Sequence, residues 1–153
     1  MRESLPKEGD LLNPVLRLFG RGDARTILEA KLSRKRIDVV FAPQSEGQWT
    51  AVELKVKNWR RALWQAAVNT QLADFSYVAL WHTTVPTAMG SRSLFRSYGV
   101  GIISVSASEA SIVLEAERTK SKTRAQQQAL LLESVGAMGE KDGDLDALSL
   151  LPA

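Results

Sequence analysis

Apolar residues recur with two different periods along this chain, and the changes of period divide it into elements. Leu11, Leu12, Val15, Leu16 and Phe19 fall at helical spacing, which predicts a first helix over residues 6–19, kinked or restarted at Pro14. Gly20-Arg-Gly-Asp23 reads as a turn. Three strand-like stretches follow: a weak alternation over 26–32, a compact β-branched run over 36–42, and a second such run over 48–57. The polar loop 43–48 joins the last two as a hairpin. Residues 59–73 are alanine-rich with helical periodicity, and Asn58 suits the N-cap. A strand is expected over 76–82, a loop around Pro86 and Gly90, a short helix over 91–98, and two last strands over 100–106 and 110–117. From Thr119 the chain turns polar; 125–135 is compatible with a helix and 136–153 reads as loose chain. The order of elements predicts an α/β fold with one sheet flanked by helices. Residues 1–118 form its body, and residues 119–153 a polar C-terminal helix with a flexible acidic tail.

The hairpin can be read more closely. With 43–48 as the loop, Ala42 faces Trp49, Val40 faces Ala51, Asp38 faces Glu53 and Arg36 faces Lys55. Side chains alternate along strands, so Ile37, Val39, Phe41, Val52, Leu54 and Val56 share an apolar face, and Asp38, Glu53 and Lys55 share the other. Opposed Cβ atoms stand about 4.5–5.5 Å apart, and two carboxylates that close repel each other unless a cation joins them. Magnesium binds few protein carboxylates and keeps several waters, which leaves room for a phosphate and a nucleophilic water. The Lys55 ammonium, two residues beyond Glu53, can orient that water or offset charge developing on phosphorus. The same residues also permit a plain cross-strand ion cluster, with Lys55 and Arg36 neutralising the two acids.

Ile37-Asp38-Val39-Val40, a short hairpin and then Val52-Glu53-Leu54-Lys55 resemble the core of the PD-(D/E)XK nuclease superfamily, whose signature is Glu-X-Lys. The stretch from Asn58 to Ala66 is similar to the helix that follows the signature in restriction-endonuclease-like proteins, and Ser76-Tyr77-Val78-Ala79-Leu80 is similar to the next strand. The resemblance covers about residues 6–82. It implies a restriction-endonuclease-like αβββαβ core, a mixed sheet flanked by helices, and hydrolysis of phosphodiester bonds in DNA. It further implies Mg²⁺ or Mn²⁺ held by Asp38, Glu53 and the Leu54 backbone carbonyl, Lys55 at the attacking water, and Gln65 facing the site. An additional acid from the first helix would be Glu8, with Glu3 as competitor, and Glu29 is a further candidate ligand. No proline precedes Asp38, and Asn69 stands where a Gln-x-x-x-Tyr motif starting at Gln65 would have tyrosine.

Composition narrows the chemistry. The 153 residues include no cysteine and one histidine, His82, which excludes thiolate and poly-histidine metal sites and leaves carboxylates as metal ligands. Neither a signal-peptide core nor an apolar run near the ~20 residues that cross a bilayer is present, so a cytoplasmic, membrane-free protein is expected. The net charge is +3, unevenly spread: residues 1–124 carry 19 basic and 12 acidic groups, and the remainder is acidic. A basic body suits nucleic acid. Arg34, Lys35 and Arg36 precede Asp38, and Lys57, Arg60 and Arg61 follow Lys55, so both groups are candidate phosphate contacts. Trp59, Trp64 and Trp81 read as core, Trp49 near the hairpin tip as exposed, and His82 as structural. A homodimer is a reasonable expectation for a nuclease that cuts two strands. The alternatives are an inert nucleic-acid-binding module with the same fold, or an interaction subunit of a larger defence or repair complex.

Overall fold

The computed structural model describes residues 4–20, 24–141 and 150–152. A 3-10 turn, Glu8–Leu11, leads into helix α1, Leu12–Phe19. The expected single helix is thus two pieces, and Pro14 falls in the first turn of the second, where its missing N–H costs nothing. Strands β1, Ala24–Leu32, β2, Lys35–Pro43, and β3, Thr50–Lys55, form an antiparallel meander. Helix α2, Trp59–Asn69, then crosses over to β4, Phe75–Trp81, which pairs parallel with β3. The Asn58 side chain accepts from the Arg61 backbone N–H and so caps α2, as expected.

Two short helices follow, α3, Val85–Met89, and α4, Arg92–Ser97. The first replaces an expected loop: Pro86 lies at the start of α3, where a helix tolerates proline. Strand β5, Val100–Val105, pairs parallel with β4, and β6, Ala110–Leu114, returns antiparallel to it. Helix α5, Arg124–Lys141, and a short strand β7, Leu150–Pro152, complete the described chain. The mixed sheet runs β6-β5-β4-β3-β2-β1-β7. Among the described residues no helix is long and apolar enough to cross a membrane.

Alternation in the strands sorts the core onto two faces. Val39, Phe41, Val52, Leu54, Tyr77 and Ala79 pack with Leu11 and Val15 from the turn and α1. On the other face Val78 and Leu80 pack under α2. Beside them Ile27, Ala30, Val40 and Ala51 pack with Leu131 and Val135 of α5. Helix α5, placed beyond the expected boundary at residue 118, therefore covers part of the sheet, and the loose chain expected over 136–153 is instead helical to Lys141 with a strand at Leu150–Pro152, while 142–149 lie outside the described residues. Trp49 is buried with this last group, contrary to expectation, because its N–H donates to buried Asp74. Trp64 is the opposite correction: it is 55% exposed on α2 and meets only the Tyr98 ring edge-on. Trp59 and Trp81 are core, as expected.

The β2–β3 register is the expected one, with Val40 opposite Ala51, flanked by Val39 opposite Val52 and Phe41 opposite Thr50. Regular alternation fails just beyond it. Ile37 joins Val40 and Ala42 on the α5 side instead of Val39 on the α1 side, which corrects the expected apolar face. The cause lies at Glu29, which adopts a left-handed backbone with φ of 47°. Pairing between β1 and β2 holds on both sides of Glu29 and Asp38 but skips those two residues. A left-handed residue other than glycine costs about 1–2 kcal/mol, so this local inversion must be held by the surrounding packing.

Candidate functional site

The inversion places Asp38 where strands β2 and β3 separate. Pairing between them ends at Val39 and Val52, and the Asp38 side chain fills the gap by accepting the Leu54 backbone N–H through Oδ2 at 2.8 Å. Glu53 approaches the same gap from the next strand: the Asp38 backbone N–H points at Glu53 Oε2, 3.4 Å away. The two acids therefore meet between the strands, but they do not share a face as expected: the break in alternation at Asp38 sends them to opposite sides of the sheet, with Lys55 turned to Glu8 on the Asp38 side. Asp38 leans to the α1 side, where it lines a cavity of about 410 Å³ with Glu8, Gly9, Leu12, Leu28, Glu29 and Leu54. Glu53 leans towards α2 and is 2% exposed.

Burial and proximity make both carboxylates reluctant to ionise. Burial, then the neighbouring Asp38 charge, push the Glu53 pKa up to about 7, against weaker opposing effects of the Asp38 N–H, Lys35 and Asn69. The Asp38 pKa is also raised, chiefly by burial and further by Glu8 and Glu29, while the Leu54 N–H and Lys55 pull it down. Two adjacent acids that resist charging are the electrostatic condition a cation relieves.

Lys55 reaches this place, though with a partner. Its ammonium pairs with Glu8 Oε1 at 3.1 Å, and Glu8 lines the Asp38 cavity. Glu8 is thus brought to the site from the 3-10 turn rather than from a helix. Glu29 lines the same cavity and pairs at 3.8 Å with Arg36, which is exposed. Glu3 lies outside the described residues. Gln65 is half-buried and joins through its backbone, whose carbonyl accepts from the Lys35 ammonium at 2.8 Å. Lys35 is accordingly not a free surface cation: burial lowers its pKa to about 8, with Glu53 drawing it back up. Arg34, Lys57, Arg60 and Arg61 are exposed, and the Arg60 guanidinium lies 4.5 Å from the centre of the Trp59 ring.

Asn69, met in the sequence only as a departure from the Gln-x-x-x-Tyr spacing, stands at the site. It is 1% exposed, its amide is shut off from solvent, and it faces Glu53, whose charged form it favours by hydrogen bonding. The available signal was its position: Trp59, Ala62, Leu63 and Ala66 mark the buried stripe of α2, and Asn69 continues that stripe with a polar group.

Among the described residues no three His, Asp or Glu side chains gather into a ready cage for a metal. The donor set fits a looser site. Asp38 Oδ1, the Glu53 carboxylate and a backbone carbonyl are hard oxygen donors, and magnesium commonly takes one or two carboxylates and completes its shell with water and phosphate.

No protein-family model matches the chain, and no curated protein sequence does. Among solved structures the chain is similar to the SPO1766 protein of unknown function from Silicibacter pomeroyi. The TM-score is 0.63 over 95% of this chain and 93% of that one, at 19% identity, which speaks for the shared mixed α/β fold.

Proposed function

We propose that this chain is a metal-dependent phosphodiesterase of the restriction-endonuclease type, acting on DNA. The observation that carries this reading is the meeting of Asp38 and Glu53 where β2 and β3 part, with Glu53 held near a pKa of 7 by burial and by its neighbour. A buried acidic pair is costly without a counter-ion. Asp38, Glu53 and the Leu54 carbonyl would hold Mg²⁺ or Mn²⁺, which when bound supplies charge at the phosphate and a more acidic water. The Lys55 ammonium, released from Glu8, orients a water beside the phosphate and balances its charge. Glu8 in turn keeps Lys55 extended towards the cavity until substrate arrives. Arg60, Arg61 and Lys57 lie at the β3–α2 junction and suit contacts to flanking phosphates.

The test incubates the protein with plasmid, linear, single-stranded and branched DNA, and with RNA, in Mg²⁺ or Mn²⁺. Wild type is expected to cleave, and Lys55→Ala to lose about a hundredfold or more in rate while retaining binding. Undiminished cleavage by that variant removes Lys55 from the mechanism. The Lys55–Glu8 pair and the lack of a third gathered carboxylate favour a second reading, an inert binding module with the same fold. Titrating Mn²⁺ into wild type and Asp38→Ala separates the two, since equal weak binding supports the inert module.

A further inference from the structure

Helices α2 and α4 present cations and open aromatic rings side by side. Between Glu53 and Glu109 the chain holds six basic residues and a single acid, Asp74, which is 6% exposed and paired with Arg118 and Arg124. Lys55 is answered by Glu8; Lys57, Arg60, Arg61, Arg92 and Arg96 are exposed and enter no ion pair among the described residues. The exposed positions of α2 are Arg60, Arg61, Trp64 and Val68, one side of the helix, opposite the stripe of Trp59, Ala62, Leu63 and Ala66 that packs into the core. Trp64 meets Tyr98 at the end of α4 edge-on, with ring centroids 5.3 Å apart, and the two residues remain 55% and 37% exposed. One acid approaches this end, Glu117, whose backbone N–H donates to the Gly99 carbonyl at 3.1 Å, and Lys120 and Lys122 follow it in the chain.

The mixture of charge and rings discriminates between partners. A second copy of this chain, docked by the same face, would set these cations against one another. An anionic membrane receives a surface helix through a continuous apolar stripe, and α2 has its stripe in the core, with arginines beside Trp64 on the open side. A single nucleic-acid strand offers the two things this face takes: phosphates for Arg60 and Arg61, and flat base faces for the rings one turn further on. In a duplex those faces are stacked on each other and closed to a side chain.

We propose that the α2–α4 face binds an unpaired nucleic-acid strand, with a base stacked at Trp64 and Tyr98 and phosphates at Arg60 and Arg61. This rests on the nucleic-acid reading above and adds to it a surface outside the Asp38–Glu53 site. Arg60 and Arg61 begin the helix that follows β3, so the strand they hold passes the Lys55 end of that strand.

The experiment measures binding without turnover, in EDTA, by anisotropy and by tryptophan fluorescence. The probes are a short oligothymidylate, an abasic strand of equal length and charge, and phosphatidylserine vesicles. Wild type should bind the oligothymidylate about tenfold more tightly than the abasic strand, the scale of one stacked base, and its fluorescence should be quenched. Trp49, Trp59 and Trp81 are buried, so the quenching reports Trp64. Trp64→Ala should bring the two strands to near-equal affinity, while Trp64→Phe, which keeps a ring, should retain most of the preference and lose the quenching. Arg60→Ala with Arg61→Ala should weaken both strands alike. All three residues are exposed, so these variants keep the fold. Equal wild-type affinity for the two strands, no binding of either, a preference that survives Trp64→Ala, or Trp64-dependent capture of vesicles in place of the oligonucleotide overturns the proposal. A dimer in sedimentation that Trp64→Ala dissolves overturns it as well. Cleavage of plasmid DNA by wild type in Mg²⁺ is scored separately. Cleavage without a Trp64-dependent strand preference defeats this surface alone, and that preference without cleavage of any nucleic acid defeats the phosphodiesterase reading alone.

Discussion

Glu53 makes the acidic pair measurable through stability. Its folded pKa of about 7 exceeds the ordinary 4.5, so the folded protein binds this proton more tightly than the unfolded chain. That contribution is whole below about pH 4.5 and is lost as the pH rises through about 7. It amounts to at most about 3 kcal/mol at 1.36 kcal/mol for each pKa step. Metal-free wild type should therefore lose stability across that window, and Glu53→Gln should flatten the profile and melt higher than wild type at about pH 8. Saturating Mn²⁺ should offset the loss, since it favours the ionised pair. A wild-type melting curve unchanged between about pH 5 and pH 8 would contradict the burial of this acid. The approach of Asp38 to Glu53 was legible from the register that one loop length sets, whereas their leaning to opposite sides of the sheet was not. Asn69 drew notice only as a departure from the Gln-x-x-x-Tyr spacing, because a single polar residue near a helix end carries no sign of what it packs against. The left-handed Glu29 was also invisible, because a periodicity argument assumes regular backbone, and it is this residue that sends Ile37 to the unexpected face.

At the scale of elements, most strand and helix positions followed from periodicity, and the register followed from the length of one loop. Helix α3 escaped because Pro86 reads as a breaker until its place at a helix start is known. The docking of α5 escaped for a different reason. Its apolar stripe is sparse, with Leu131 and Val135 buried among the described side chains, so a polar solvated helix was the natural reading. What anchors it is polar. Arg124 at its start donates to Asp74 at 3.3 Å and to the backbone carbonyls of Thr70 and Thr119. Asp74 also accepts from Trp49 N–H, so one carboxylate ties the β2–β3 loop to α5. Arg124 and Asp74 side chains are only 12% and 8% exposed; without Arg124 the Asp74 carboxylate keeps Arg118 at 3.4 Å and the Trp49 backbone N–H, but the carbonyls of Thr70 and Thr119 lose their donor. Arg124→Ala should cost about 3 kcal/mol, read from denaturant midpoints, and should raise amide exchange along α5 before the rest of the chain.

Across the whole molecule, the sheet changes character at the site. Antiparallel β1–β2–β3 meets parallel β3–β4–β5, and β2 and β3 part where that change occurs. Exposed Arg34 precedes β2, exposed Lys57, Arg60 and Arg61 follow β3, and the net charge of +3 conceals a more basic body. If these cations meet DNA phosphates, affinity falls with salt on a logarithmic plot, and each contact removed lowers the slope by about 0.9. Arg60→Ala with Arg61→Ala should reduce the slope by roughly 2 with little change among sequences. An unchanged slope would place the nucleic acid elsewhere. Helix α5 carries one more implication, for how the chain is made. Leu131 and Val135 cover Ile27, Ala30 and Ile37, which leave the ribosome about a hundred residues earlier. A nascent chain must carry that greasy panel uncovered until α5 emerges, so chaperones that hold apolar segments should bind stalled chains ending before Arg124 and release those that include α5.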